Sequence, residues 1–461
     1  MATTDFVDGT TLSAAAWADD VDIATYAYLT SPAGTNTITA TGPATFTYAA
    51  GRFVRFIPAA TNTGATTINI TPSGGAALGA RNIFMGGAAC VGDEIRINIP
   101  CLLVDDGTRF NLLTPHIPTT PALFRRNAVI NGDFSVAQRG TSFTSATTPA
   151  NSDDTYLLDR WTLLSDGNDI VDVSQNTAVV PTNGLYSCLL DVETANQKFG
   201  IIQFIEQKNC KGYIGKTCTL SFQARYATGA TVQTMRAVIL AWSGTADAVT
   251  SDVISAWGAS GTNPTLVANW TAENTAADLT LTTSFQKFSV SGAIDTASTA
   301  NIAVFLYYNN ADGTVGDFIY ITDVQLEAGG VATEFERRPF SDELAFCQRH
   351  YFKDFALGTA PAQNVGANTG EFQYMAAAAG AGVTNRGHIR WPVMMFAAPT
   401  ITLYNPAAAN TEVRDISLSV DCSSSAAANI SVGGMTIQAV GHANTVATSQ
   451  LGVHIQAVAE M

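Results

Sequence analysis

Ile302-Ala-Val-Phe-Leu-Tyr-Tyr308 and, a short way on, Phe318-Ile-Tyr-Ile-Thr-Asp-Val-Gln-Leu326 are the stretches whose reading decides the fold. Both are short runs rich in β-branched and aromatic residues with turn signals between them, the pattern of strands. Upstream, Phe285-Gln-Lys-Phe-Ser-Val290 reads the same way, and Thr219, Ser221 and Gln223 alternate with Leu220, Phe222 and Ala224 at the period of a strand with two unlike faces. Many short strands in succession predict a sandwich rather than alternating β and α units, and a jelly roll over residues 127–340.

The flanks extend this pattern. Downstream, Ser341-Asp-Glu343 opens a linking helix over 341–356, with Leu344, Cys347, Tyr351 and Phe355 as its buried stripe and Arg349, His350 and Lys353 toward its end. Residues 357–461 return to β alternation, as in Ile416, Leu418 and Val420 or Val453, Ile455 and Ala457, and predict a C-terminal β-sandwich tip. Upstream, residues 31–115 form a small β module, with Phe46 and Tyr48, Ile68 and Ile70, and Ile95, Ile97 and Ile99 in alternation and turns at Asn62–Gly64, Ser73–Gly75 and Asp105–Gly107. Pro115, Pro118 and Pro121 mark residues 116–126 as a stiff linker. The first 30 residues read as a helix: Ser13 caps it, Leu12 staples onto Trp17, and Trp17, Val21, Ala24 and Tyr28 fall on one stripe. A helix this short needs a partner, either its own domain or other copies and a larger assembly, which makes Trp17, Val21 and Tyr28 the candidates for oligomerisation or attachment. The expected chain is thus all-β, with an N-terminal helical anchor, a small β module, a jelly-roll β-sandwich, a linking helix and a C-terminal β-sandwich. No repeat of 20–50 residues is visible, which disfavours a β-helix.

Composition narrows the function. Charged residues make up only 13% of the chain against about 25% in an average domain, while 46% are hydrophobic, so the chain folds and its polar surface is built from Thr, Ser, Asn and Gln. With 23 Lys and Arg against 38 Asp and Glu the net charge is −15, which opposes nucleic acid and anionic membranes as partners. No apolar run reaches the roughly 18 residues of a membrane span and no basic n-region opens the chain, so neither membrane insertion nor a signal peptide is expected. Seven cysteines without a C-x-x-C pair read as free buried thiols of a protein made in a reducing cytoplasm.

Catalytic signatures are scarce. The five histidines show no H-x-x-x-H spacing, and neither a G-x-S-x-G elbow nor a P-loop occurs. The pairs Asp105-Asp106 and Asp153-Asp154 could serve a glycosidase, but both sit in turn-like sequence and read as solvated loop residues. Trp257 and Trp270 lie in a long Gly/Thr/Asn-rich stretch, where exposed rings would stack on sugars; the competing reading is that they fold back to cap a sandwich end. No catalytic residue is nominated.

Several motifs in order carry a resemblance. Asn131-Gly-Asp-Phe134, Gln138-Arg-Gly140, Leu158-Asp-Arg-Trp161, Ile321-Thr-Asp-Val-Gln-Leu-Glu-Ala-Gly329, Thr333-Glu-Phe-Glu-Arg-Arg-Pro-Phe340 and Glu343-Leu-Ala-Phe-Cys-Gln-Arg349 resemble bacteriophage tail-fibre proteins, with Phe346 and His350 standing where Leu and Tyr would be expected. Gly64-Ala-Thr-Thr-Ile68 leading to Asp106-Gly-Thr-Arg-Phe110 is similar to a small fibre module, Phe6-Val-Asp-Gly-Thr10 to a virion-attaching N-terminus, and Trp391-Pro-Val-Met-Met395 with Ala398-Pro-Thr400 to a distal fibre domain. The resemblance implies a non-enzymatic structural tail fibre of a virion, made in the host cytoplasm. It would be homotrimeric, held by its N-terminus to other tail or neck proteins, and would bind host-surface glycan for adsorption. The alternatives are a head fibre, adaptor or decoration protein without a receptor role, and a capsule-degrading tailspike. The central domain is also similar to carbohydrate-binding jelly rolls, in which the N-x-x-F and I-x-D-V-x-L strands lie close and hold a structural calcium; Asp133 and Asp323 would be the matching carboxylates, unless Asp323 merely hydrogen-bonds a neighbouring loop.

Overall fold

The computed structural model describes residues 27–90, 92–115, 126–295 and 298–461, in two compact units, Met1–Pro121 and Ala122–Met461. Almost all regular structure is strand; the helices among the described residues are Gln207–Cys210 and Phe340–Gln348.

In the first unit a nine-stranded mixed sheet carries one core. The period of two sorts its residues: Ile38 and Ala40, Ile68 and Ile70, Val54 and Phe56 point inward with Ile83, Leu103 and Phe110. The expected turn at Asp105–Gly107 is present, with Asp106 accepting the backbone N–H of Thr108 and Arg109. Two expectations change. Ile95, Ile97 and Ile99 alternate in sequence but form turns, because Asn62 holds the Ile95 N–H at 2.9 Å and Asn98 adopts a left-handed φ of 63°; only Ile95 is buried. Tyr28 is not on a helix: it lies in the strand Ala27–Tyr28, paired in parallel with Phe53–Phe56, with the Arg55 guanidinium 5.7 Å from its ring. Trp17 and Val21 lie outside the described residues.

The second unit contains a two-sheet sandwich. Its first sheet runs Ser142–Phe143, Val171–Asn176, Ser187–Val192, Phe318–Ala328, Thr217–Tyr226, Gln286–Ala293. The second runs Thr155–Tyr156, Thr162–Ser165, Phe199–Ile205, Asn301–Tyr308, Thr234–Trp242, Trp270–Ala272, with Leu279–Thr280 beside Thr234–Trp242. All pairings in both sheets are antiparallel, as a jelly-roll sandwich requires. Leu190, Leu220, Phe222, Ile319 and Ile321 from one sheet meet Ile201, Ile239, Ile302, Val304 and Leu306 from the other. Asn301–Tyr308 is buried along its whole length, because Ala303, Phe305 and Tyr307 face outward into a second apolar layer supplied by residues 243–281 folded over the sheet.

The linking helix is shorter than expected. It spans Phe340–Gln348 and ends where Arg349 and His350 donate to Ala345 O and Cys347 O, so Tyr351 and Phe355 are not on it; Tyr351–Lys353 pairs instead with Gln450–Val458. That last strand is the spine of the distal domain, pairing also with Phe372–Met375, Thr400–Tyr404 and Arg414–Asp415. A three-stranded sheet of Thr384–Arg390, Gly434–Val440 and Ser424–Ser431 packs across the same core of Trp391, Ile437, Val453 and Ile455. The boundary expected at 340 is not a break between compact units. Glu460 pairs with the buried Arg139 and Arg160, Arg349 pairs with Glu206 at 2.6 Å, and the Tyr156 hydroxyl donates to Met461 O at 3.1 Å.

Candidate functional site

The motifs that carry the fibre resemblance converge. Asn131 and Phe134 both adopt φ of 56°, making a tight turn whose Asn131 side chain donates to Val136 O and Asp159 O and accepts the Val136 N–H. The Asn131 N–H donates to Glu343, which also pairs with Arg338 at 3.1 Å, and the Trp161 indole donates to Asn131 O at 3.0 Å. Gly132 is required: a Cβ there would lie 2.1 Å from Val324 O, in the strand whose Val324 N–H donates back to Gly132 O.

Asp133 and Asp323 are brought to the same place, as the jelly-roll resemblance implies, but a guanidinium stands between them. Arg337 lies 3.1 Å from each Asp323 oxygen and 3.9 Å from Asp133, and Gln223 donates to Asp323 at 2.7 Å. Burial pushes the Asp323 carboxyl up and the Arg337 charge opposes it. Calcium takes six to eight oxygen ligands. Two carboxylates already bridged by an arginine do not fit it, and we derive nothing through such an ion.

Trp257 and Trp270 are not surface platforms. They are 8% and 5% exposed, Trp257 against Phe305 and Trp270 between Phe204 and Trp242, so the reading that they fold back on the sandwich is the one the geometry favours. Under the cover lies a small half-open pocket of about 50 Å³. Its floor is Phe305 and Tyr307, stacked at 4.6 Å, and its walls include Leu266, Asn263 and Asn274. Asn263 accepts from Arg236 at 2.7 Å and from the Tyr307 hydroxyl at 3.0 Å, while Asn274 completes the edge of Thr234–Trp242 through the Ile239 N–H. The floor is fully buried and both amides are committed, Asn263 also donating to Ala276 O and Asn274 to Ala237 O, so the pocket is too small and too satisfied to take a sugar ring. None of these residues was nominated from sequence. The signal was the unbroken apolar run at 302–308, which leaves an outward aromatic set needing a cover.

In the distal domain three residues distant in sequence align. His454, fully buried, places Nδ1 3.0 Å from Asp354 and Nε2 2.9 Å from the Thr369 hydroxyl, which also lies 2.8 Å from Gly366 O. Asp153 and Asp154 behave as turn residues, Asp153 accepting the Ser165 N–H at 2.7 Å and Asp154, at a left-handed φ of 57°, pushed up to about 6 by burial and by Asp153 and Asp252; Asp105, expected to be solvated, is instead buried at a strand end against Arg81. The seven cysteines are free and buried, and burial raises their thiols, Cys90 to about 11 and Cys422 to about 12, so they are not nucleophiles at neutral pH. Among the described residues no helix is long and apolar enough to cross a membrane.

No family model matches the chain, and no curated protein matches it. Among solved structures it is similar to the enzymatically active domain of tailspike protein 4 of bacteriophage CBA120, at 17% identity over 44% of this chain and 22% of that one, with a TM-score of 0.27. It is also similar to a putative sugar-binding protein from Bacteroides thetaiotaomicron VPI-5482, at 12% identity over 44% of this chain and all of that one, with a TM-score of 0.28. A third is TmCBM61 in complex with β-1,4-galactotriose, at 12% identity over 44% of this chain and 99% of that one, with a TM-score of 0.26. Likenesses at such TM-scores carry no argument, and the fold assignment rests on the sheet topology itself.

Proposed function

We propose that this chain is a non-enzymatic tail fibre of a phage virion, homotrimeric, whose second unit binds host-surface glycan. The observation that carries the reading is the convergence of the fibre-like motifs. Asn131, Asp159, Trp161, Val324, Arg338 and Glu343, drawn from over 200 residues of chain, close into one hydrogen-bonded knot that fastens the sandwich to the helix leading into the distal domain. The motifs that resemble fibre proteins thus meet in one junction between the sandwich and the helix, which supports the reading. The antiparallel two-sheet sandwich, similar to carbohydrate-binding jelly rolls, supports the glycan part. Fluorescent protein is incubated with host cells before and after periodate oxidation of surface sugars. Binding lost on oxidation is expected, and undiminished binding refutes the glycan reading. Sedimentation checks the trimer: a mass of three chains is expected, and one near 48.4 kDa refutes it.

A second reading, an enzyme that trims the host surface, is favoured by one observation, the Asp354–His454–Thr369 line. With Nδ1–H donating to Asp354, Nε2 faces the Thr369 hydroxyl, whose proton goes to Gly366 O at 2.8 Å and would have to turn to Nε2 for nucleophilic acyl transfer, with Glu371 3.9 Å from the same nitrogen. Hydrolysis of a nitrophenyl ester that is abolished by Thr369→Ala would establish it; no turnover above buffer leaves the fibre reading alone.

A further inference from the structure

The distal three-stranded sheet turns one face to solvent, and Thr384–Arg390 places Arg386, His388 and Arg390 on it at alternate positions, all exposed, while Gly387 and Ile389 between them are buried and half-buried. These arginines differ from the others. Elsewhere among the described residues each guanidinium is engaged, as in Arg81 with Asp105, Arg139 and Arg160 with Glu460, Arg236 with Asp278, Arg349 with Glu206 and Arg414 with Asp421. Arg55 stands over the Tyr28 ring and Arg52 donates to Thr47 O. Arg386 and Arg390 make no ion pair, hydrogen bond or ring contact with any described residue. In a chain of net charge −15 with 23 basic residues, two uncommitted guanidinium groups on one strand form a local reversal of sign.

We infer that this face binds an acidic polysaccharide through its uronate carboxylates. The inference rests on the glycan reading for the polymer's class and on the sheet geometry for its charge. Four residues of strand set the arginines about 13 Å apart at roughly 3.3 Å per residue. Between them His388 is held by Thr436, Nδ1 to Oγ1 at 2.9 Å, which leaves Nε2 for a ligand. The paired positions across the sheet are small or polar: Gln438 and Ala426 beside Arg386, Thr436 and Ala428 beside His388, and Gly434 beside Arg390. The result is a flat floor with cations at both ends and hydrogen-bonding groups between, suited to a polymer that alternates carboxylate and hydroxyl. Planar guanidinium pairs bidentately with planar carboxylate. A polyuronate and a phosphodiester polymer both meet the repulsion of the acidic chain, so only local guanidinium–carboxylate pairing separates them, and single-stranded DNA is included in the test for that reason.

The test uses the full chain, alginate oligosaccharides as the polyuronate, dextran as the neutral comparison and single-stranded DNA as the phosphodiester comparison, at low and moderate salt. Alginate is expected to bind, more weakly as salt rises. Arg386→Ala/Arg390→Ala is expected to lower alginate affinity at least tenfold with an unchanged melting temperature. Absence of alginate binding at low salt, equal binding by the double variant, or equally strong DNA binding lost in parallel would each overturn the inference. Failure of the broader glycan reading is seen separately, as cell binding that survives periodate.

Discussion

The outward faces of two sheets in the same unit meet opposite fates. On the second jelly-roll sheet the outward residues of Asn301–Tyr308 are Ala303, Phe305 and Tyr307, and 243–281 covers them with Trp257 and Trp270. On the distal three-stranded sheet the outward residues of Thr384–Arg390 are Arg386, His388 and Arg390, and nothing among the described residues covers them. Strand geometry is the same in both, so the difference comes from what alternates: an apolar outward set gains stability only under a cover, whereas a charged set would lose its hydration there. Aromatics therefore mark where the molecule closed on itself, and charge marks where it stays open to a partner.

That contrast is broken most directly by truncation. Trp270→Ala removes a ring packed on both Phe204 and Trp242 and is expected to cost about 3–5 kcal/mol, whereas Arg386→Ala is expected to stay within about 0.5 kcal/mol of wild type. Urea titration measures both. Limited proteolysis of the Trp270→Ala protein should cut first within 243–281; equal stability of the two variants would mean that the cover contributes nothing.

A second, somewhat smaller effect lies where the two regions are joined. Glu460 is the anion for two arginines, Arg139 and Arg160, both buried within the sandwich. Glu460→Ala leaves the desolvated Arg160 without its carboxylate partner and Arg139 with only the Asp159 charge, and is expected to cost about 3 kcal/mol, with Glu460→Gln losing less. Separate melting of the sandwich and the distal domain in the Ala variant would show that this clasp couples them; an unchanged single transition would show that the Arg349–Glu206 pair and the Tyr156–Met461 bond suffice.

Much of the fold was legible from sequence because it depends on local period. The strands at 219–224, 302–308 and 318–326 lie where alternation and apolar runs put them. The approach of Asp133 to Asp323 also followed, through the resemblance of their flanking motifs. What period cannot show is which side chain fills a tertiary gap. Arg337 between those carboxylates and Thr369 beside His454 both arrive from loops. Ile95, Ile97 and Ile99 mislead for the same reason, since a buried Asn62 amide, remote in sequence, overrides their alternation. Trp257 and Trp270 sit in polar sequence, yet the apolar face they cover is built from residues outside that segment.

The smallest expected effect concerns a third outward face, on the first jelly-roll sheet, where Asp172 and Asp191 stand directly opposite each other across adjacent strands. Partial burial and the Glu193 charge push each up to about 6, with Asp191 and Asp169 adding to the effect on Asp172. In the unfolded chain an aspartate titrates near 3.9, so the folded form holds these protons more tightly. The stabilisation is fully present below the unfolded value and is lost as pH rises through about 6. Both groups are partly hydrated, so screening holds the effect below about 1 kcal/mol. Asp191→Asn should make the protein slightly more stable at pH 7, make no difference near pH 4, and flatten the wild-type decline between them, read as the difference in urea midpoint at each pH. An open face would then carry a measurable cost for like charges placed across strands. A variant less stable than wild type at pH 7 would mean instead that Asp191 is held by a favourable contact, and that this face is closer to the covered kind than its exposure suggests.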